Sequence, residues 1–104
     1  MVFIETPVFT KHVIEALTDE QYGLLQGFLV ARPDAGNLVK GGSGIRKLRW
    51  ALSGRGKRGG VRVIYFWRVS ESQILMLTMY AKNEQANLTP PQVKQLAKLV
   101  ESLK

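Results

Sequence analysis

Val61-Arg62-Val63-Ile64-Tyr65-Phe66-Trp67-Arg68-Val69, then Glu71-Ser72, then Gln73-Ile74-Leu75-Met76-Leu77-Thr78-Met79-Tyr80, is the stretch that decides the fold. Both runs are rich in β-branched and aromatic residues and contain neither proline nor glycine, so both read as strands. The short polar pair between them predicts a tight turn and an antiparallel hairpin. The first run is apolar almost throughout, which marks a buried strand.

Working outward, residues 45–52 alternate with period two and predict a strand, joined to the hairpin by a basic, glycine-rich loop at 53–60. At the start, residues 2–5 are apolar enough for an edge strand. Thr6-Pro7 then reads as a helix cap with proline in the first turn, followed by Phe9, Val13 and Leu17 at four-residue spacing. A second helix opens at Thr18, where Gln21 completes a capping box and Asp19 and Glu20 suit the positive end of the helix dipole. Tyr22, Leu25, Phe28 and Leu29 form its apolar stripe. Arg32-Pro33 ends it, and a polar, glycine-rich connection runs to Gly44. Thr89-Pro90-Pro91-Gln92 repeats the cap pattern and starts a terminal helix with Val93, Leu96, Leu99 and Val100 inward. The expected fold is α+β, in the order β-α-α-β-β-β-α. A small antiparallel sheet carries two N-terminal helices and a C-terminal helix, as one domain over residues 1–104.

Charge is distributed unevenly on this frame. Between Ala35 and Ser70 stand nine basic residues and no acid: Lys40, Arg46, Lys47, Arg49, Arg55, Lys57, Arg58, Arg62 and Arg68. A solvated surface ordinarily mixes signs, because acids cancel the self-repulsion of crowded cations. With a net charge of +7 over 104 residues, this cluster points to a polyanion, and a phosphate backbone is the commonest one. No apolar run is long enough to span a bilayer, and the start MVFIETPVF lacks an export pattern, so a cytoplasmic location and no membrane partner are expected. The absence of cysteine excludes disulfides and thiolate chemistry.

Strand parity sorts the cations. Leu48, Trp50 and Leu52 share one face, with Lys47 and Arg49 on the other. Val61, Val63, Tyr65, Trp67 and Val69 oppose Arg62, Ile64, Phe66 and Arg68. Leu75, Leu77 and Met79 oppose Met76, Thr78 and Tyr80, with Lys82 just beyond. Packing the first set of each strand under helices leaves Lys47, Arg49, Arg62, Thr78, Tyr80 and Lys82 on a basic face with one phenol. A structural role is open to each of these residues singly, since a strand arginine can pair with Glu5, Glu15 or Glu71 and a strand-end tyrosine is often packing. The loop cations Arg55, Lys57 and Arg58 fit neither a P-loop nor a dinucleotide fingerprint. They would grip backbone phosphates or simply solvate a hairpin loop.

The residues narrow the chemistry. His12 is the only histidine and lies far from the cluster in sequence, so it reads as a surface or core-edge residue. No His or Asp cluster suggests a metal site, and no acid pair falls on the basic face; neither a metal nor another cofactor is expected. Cleavage of RNA needs neither, because the 2′-hydroxyl can act as nucleophile once a base takes its proton and cations hold the phosphorane. Crowded positive charge disfavours an ammonium form, which suits Lys47, between Arg46 and Arg49, to the role of base. Arg49 and Arg62 could hold the phosphate bidentately, and Tyr80 could stack a base or relay a proton.

Three ordered blocks then carry a resemblance. Gly41-Gly42-Ser43-Gly44-Ile45-Arg46-Lys47-Leu48-Arg49, Gly56-Lys57-Arg58-Gly59-Gly60-Val61-Arg62-Val63-Ile64-Tyr65 and Tyr80-Ala81-Lys82-Asn83-Glu84 together resemble the RelE/HigB toxins of bacterial type II toxin-antitoxin systems, most nearly the HigB-like branch. The resemblance spans nearly the whole chain and implies a RelE-like fold. It also implies a ribosome-dependent mRNA interferase, an endoribonuclease that cuts mRNA in the A site of the 70S ribosome and leaves a cyclic phosphate and a 5′-hydroxyl. A cognate antitoxin of the HigA/RelB kind would neutralise it. The family's catalytic positions fall on Lys47, Arg49, Arg62, Tyr80 and Lys82. Arg46, Arg55, Lys57, Arg58 and Arg68 would be contacts to RNA or ribosome. The chain departs from many relatives in having Asn83 after Lys82 and neither tyrosine nor histidine beyond Tyr80, which leaves Tyr80 or Lys82 to supply the proton to the leaving oxygen. Two other readings use the same surface or charge: a non-catalytic RNA- or ribosome-binding module, and a small DNA-binding regulator. The second is disfavoured because no helix carries the basic residues of a recognition helix.

Overall fold

The central hairpin forms as the pattern predicts. In the computed structural model, which describes residues 1–51 and 60–104, β4 (Val61–Arg68) and β5 (Gln73–Ala81) pair antiparallel and make up the middle of a five-stranded sheet. The turn between them is one turn of 3-10 helix, Val69–Glu71, closed by Ser72 in the left-handed region at φ 53°. Val69 is therefore exposed rather than on the buried face with Val61 and Val63. On one side of the hairpin, β3 (Arg46–Trp50) pairs antiparallel with β4 and with the two-residue β2 (Asn37–Leu38), a strand that lies inside the polar connection and has no pattern to announce it. On the other side, β1 (Val2–Glu5) is the expected edge strand, but it runs parallel to β5. The sheet order is β1-β5-β4-β3-β2.

Each helix is capped by the residues that announce it. Thr6 accepts from the Phe9 amide ahead of α1 (Pro7–Ala16), and reciprocal Thr–Gln capping boxes open α2 (Asp19–Ala31) and α3 (Pro90–Glu101). The helices divide between the two faces of the sheet. Phe9, Val13 and Leu17, from α1 and its end, and Leu25 and Leu29 of α2 pack on Leu48, Val61, Val63, Tyr65, Ile74, Met76 and Met79. Val100 of α3, flanked by Leu96 and Leu103, packs on Ile45, Ile64, Phe66, Leu75 and Leu77 of the opposite face. Fully burying an aliphatic or aromatic side chain stabilises by about 1.5–3 kcal/mol, so both layers contribute substantially. Leu99, expected inward, is 41% exposed, and Ala97 is buried instead.

The face assignment of β5 needs correction. Ile64 pairs with Thr78, but Tyr65 pairs with Met76, so β5 carries one extra residue in a bulge. Leu75 and Leu77 therefore turn to the α3 side, while Ile74 and Met76 join Met79 under α1 and α2. Strict alternation puts Leu75 and Leu77 with Met79 instead. The bulge breaks the count, because two successive residues oppose one on the partner strand. Thr6 serves this irregularity, its amide donating to Met76 O (3.1 Å) and its hydroxyl to Leu77 O (2.7 Å).

Tyrosines tie the helical layer to the sheet. Tyr22 donates to Glu5 Oε2 (2.6 Å), and Tyr65 donates to Pro33 O (2.8 Å) while accepting from the Gly36 amide (2.9 Å). Burial first, then the Glu5 carboxylate, holds the Tyr22 proton well above the ordinary tyrosine range, and burial raises Tyr65 as well. An unfolded tyrosine ionises near its usual 10.0, where these folded phenols keep their protons, so the unfolded chain binds fewer protons. Stability is therefore fully present below pH 10 and falls as pH rises above it. Denaturant melts across that range should show the decline, with a shallower slope in Tyr22→Phe.

Candidate RNA-cleaving site

The basic face is assembled by the pairing register. Arg49 of β3 lies opposite Arg62 of β4, and Arg62 lies opposite Tyr80 of β5, so the three form one row across adjacent strands. Lys47, Ile64 and Thr78 form the next row. Neighbouring strands are ~4.8 Å apart, so the Arg49–Tyr80 row spans about 10 Å between backbones, and Lys47 stands two residues, about 7 Å, along. Two long guanidinium side chains and an ammonium can converge on one phosphate over such a patch. Lys82 follows immediately after β5 and is exposed.

This row lies on the α3 side of the sheet, and α3 covers only part of that side. Ile64 and Leu77 belong to the core beneath the helix, with Tyr80 and Leu88 packed at its margin. The basic row thus lies at the end of the face beyond α3, bordered by the segment that leads from Lys82 to the Thr89 cap. Its border is polar: Lys47 Nζ donates to Asn87 Oδ1 at 3.2 Å.

Tyr80 differs from its neighbours. Among the described residues its buried hydroxyl has no hydrogen-bond partner. Burial raises its pKa, opposed in part by the Arg62 charge, so the phenol is protonated at neutral pH. A buried donor without an acceptor costs about 1–3 kcal/mol and is held against that cost by the surrounding packing. Placed opposite Arg62, it is a candidate proton donor at the end of the cationic row.

The other candidate residues separate cleanly. Arg46 points to the other face, where its guanidinium donates to Gly36 O (2.8 Å) and Asp34 O (3.1 Å) and fastens the α2–β2 connection. Arg68 donates to Leu103 O (3.0 Å) and Gln73 Oε1 (3.3 Å), holding the end of the chain against the sheet. Arg55, Lys57 and Arg58 lie outside the described residues. His12 donates from Nδ1 to Met79 O (2.9 Å), a structural bond to β5. Glu5, one of the acids open to a strand arginine, instead accepts from Thr10 and Tyr22. Asn87 belongs to the site although no motif or spacing rule marks it. Its only signal in the sequence is proximity to the Thr89–Gln92 capping box. Among the described residues, no group of three or more His, Asp or Glu side chains could hold a metal ion, and no helix is long and apolar enough to cross a membrane.

The family model described as the RelE toxin of the RelE/RelB toxin-antitoxin system matches residues 29–104. The chain belongs to this family and is a toxin of the toxin-antitoxin kind. Its fold is similar to that of E. coli toxin RelE, solved in the free state as a double arginine-to-alanine variant, with a TM-score of 0.60, 15% identity and 95% of each chain covered.

The arginine pair at the heart of the row carries an energetic cost. Like charges directly opposite on neighbouring strands are destabilising. Arg49→Ala should therefore raise the denaturation midpoint slightly at low salt, and the gain should shrink as salt screens the pair. The same substitution should weaken RNA binding.

Proposed function

We propose that the chain is a ribosome-dependent mRNA interferase of the HigB-like branch. It cuts mRNA in the ribosomal A site and is held inactive by a cognate antitoxin that covers the basic face. The observation that carries this reading is the row Arg49–Arg62–Tyr80, with Lys47 beside it, across three neighbouring strands. The branch assignment is supported by Tyr80-Ala81-Lys82-Asn83-Glu84 at the end of β5.

In this mechanism Lys47 takes the proton of the 2′-hydroxyl, which attacks the adjacent phosphorus. Arg49 and Arg62 hold the non-bridging oxygens and stabilise the charge that builds on the phosphorane. Tyr80, protonated beside Arg62, or Lys82 gives the proton to the departing 5′-oxygen. The products are a 2′,3′-cyclic phosphate and a 5′-hydroxyl. The ribosome's part is positioning: it presents the strand in line for attack, which lets a site with weak acid-base groups work. The cations outside the row, including Lys82, Arg55, Lys57 and Arg58, supply sequence-independent grip on phosphates.

Induced expression should arrest growth, and Lys47→Ala, Arg49→Ala and Arg62→Ala should each relieve the arrest. Removing Arg62 should slow cleavage in a translation extract about 10²-fold or more. Cutting should require translating ribosomes. Vigorous cutting of naked RNA by the isolated protein would contradict the ribosome's role. Salt-sensitive binding without any cut mRNA would leave a binding module in place of an enzyme.

A further inference from the structure

The segment between β5 and α3 is built as a bracket, and its side chain bonded to the basic face is Asn87. The Glu84 and Gln85 amides donate back to Ala81 O (3.0 and 3.2 Å), winding the chain as it leaves the sheet. Gln85 Nε2 donates to Asn87 O (2.8 Å) and to Gln92 Oε1 (2.6 Å). Gln92 Oε1 also accepts from the Thr89 amide (2.8 Å), which is half of the capping box that opens α3. Leu88, next to Asn87, packs against the core under the helix. Asn87 is thus fixed through its own carbonyl on one side and its neighbour's burial on the other, and its Oδ1 meets Lys47 Nζ at 3.2 Å.

Lysine carries its amine on a flexible four-carbon stem, so a base of this kind needs something to aim it. The neutral amide suits that task for a chemical reason. An ammonium has three N–H groups and a free amine still has two, so Asn87 Oδ1 accepts from Lys47 in either state, and the amine lone pair stays free for a proton. A carboxylate in the same place would favour the charged form and oppose the proton transfer.

We propose that Asn87 is a positioning residue that aims Lys47 at the 2′-hydroxyl, held in place by Gln85 and the cap of α3. This rests on Lys47 being the base of the cleavage reaction. The test is single-turnover cleavage on programmed ribosomes, measured as a function of pH and toxin concentration, for wild type, Lys47→Ala, Asn87→Ala and Asn87→Asp. Asn87→Ala should lower the cleavage rate roughly 10- to 100-fold, as misplacement of a reacting group does, while half-saturation by toxin changes by less than about twofold. In Asn87→Asp the rise of rate with pH should move to higher pH, an effect that merely loosening the segment would not produce. Far-UV spectra and melting midpoints matching wild type would confirm that both variants fold. Loss of cleavage in Lys47→Ala, together with wild-type rates and superimposable pH profiles in both Asn87 variants, would overturn the positioning role alone. Wild-type cutting by Lys47→Ala would instead overturn the assignment of the base, and the role of Asn87 with it.

Discussion

Between the pairs Ile64–Thr78 and Tyr65–Met76 the β4–β5 register slips by one, so β5 sets both Leu77 and Thr78 against Ile64 alone. Because side chains alternate along a strand, that single extra residue changes which face every later side chain meets. Ile74 and Met76, before the slip, sit with Tyr65 under α1 and α2; Leu75 and Leu77 sit under α3. After it, Met79 returns to the α1/α2 layer opposite Val63, and Tyr80 comes to the α3 side opposite Arg62. Had the register of the far half continued unbroken, Met79 would stand opposite Arg62 and the phenol would lie under the N-terminal helices. The bulge lets one strand fill two cores and still deliver Tyr80 to the cationic row. The Thr6 hydroxyl, which caps α1, also donates to Leu77 O, so helix and irregularity are held together.

The row itself works against the stability of the sheet. Arg49 and Arg62 face each other across a strand pair, and the Tyr80 hydroxyl has no acceptor among the described residues. Both features cost free energy, and in the proposed reading an anion that accepts from guanidinium and phenol would relieve both. By contrast, Arg46 and Arg68 are engaged with backbone carbonyls and hold loop and terminus in place. The cations therefore fall into two groups, one engaged in holding the fold and one gathered in the row proposed to meet a polyanion.

Much of this is legible in the sequence. The caps at Thr6, Thr18 and Thr89 mark the three helices, and the apolar runs mark the hairpin, because local hydrogen bonding and side-chain period are encoded over a few residues. Parity also places Lys47, Arg49, Arg62 and Tyr80 on one face. The same parity puts Arg46 with Leu48 and Trp50 on the other face, a signal that counting charges alone ignores. What cannot be read requires long-range geometry. A bulge leaves no mark in composition, so alternation alone assigns Leu75 and Leu77 to the wrong layer. Nothing local shows that α3 covers one face while α1 and α2 cover the other. The Lys47–Asn87 contact joins residues forty positions apart, through a segment whose path depends on where α3 docks.

In the proposed mechanism the row cuts RNA by 2′-hydroxyl attack, which must leave one particular pair of ends. The chemistry of those ends tests the mechanism most directly. Messenger RNA recovered after induction of the wild-type chain should carry 2′,3′-cyclic phosphate or its opened 3′-phosphate upstream and 5′-hydroxyl downstream. Those ends should be lost in Arg62→Ala. Cut sites bearing 3′-hydroxyl and 5′-phosphate, or ends that persist unchanged in Arg62→Ala, would contradict it.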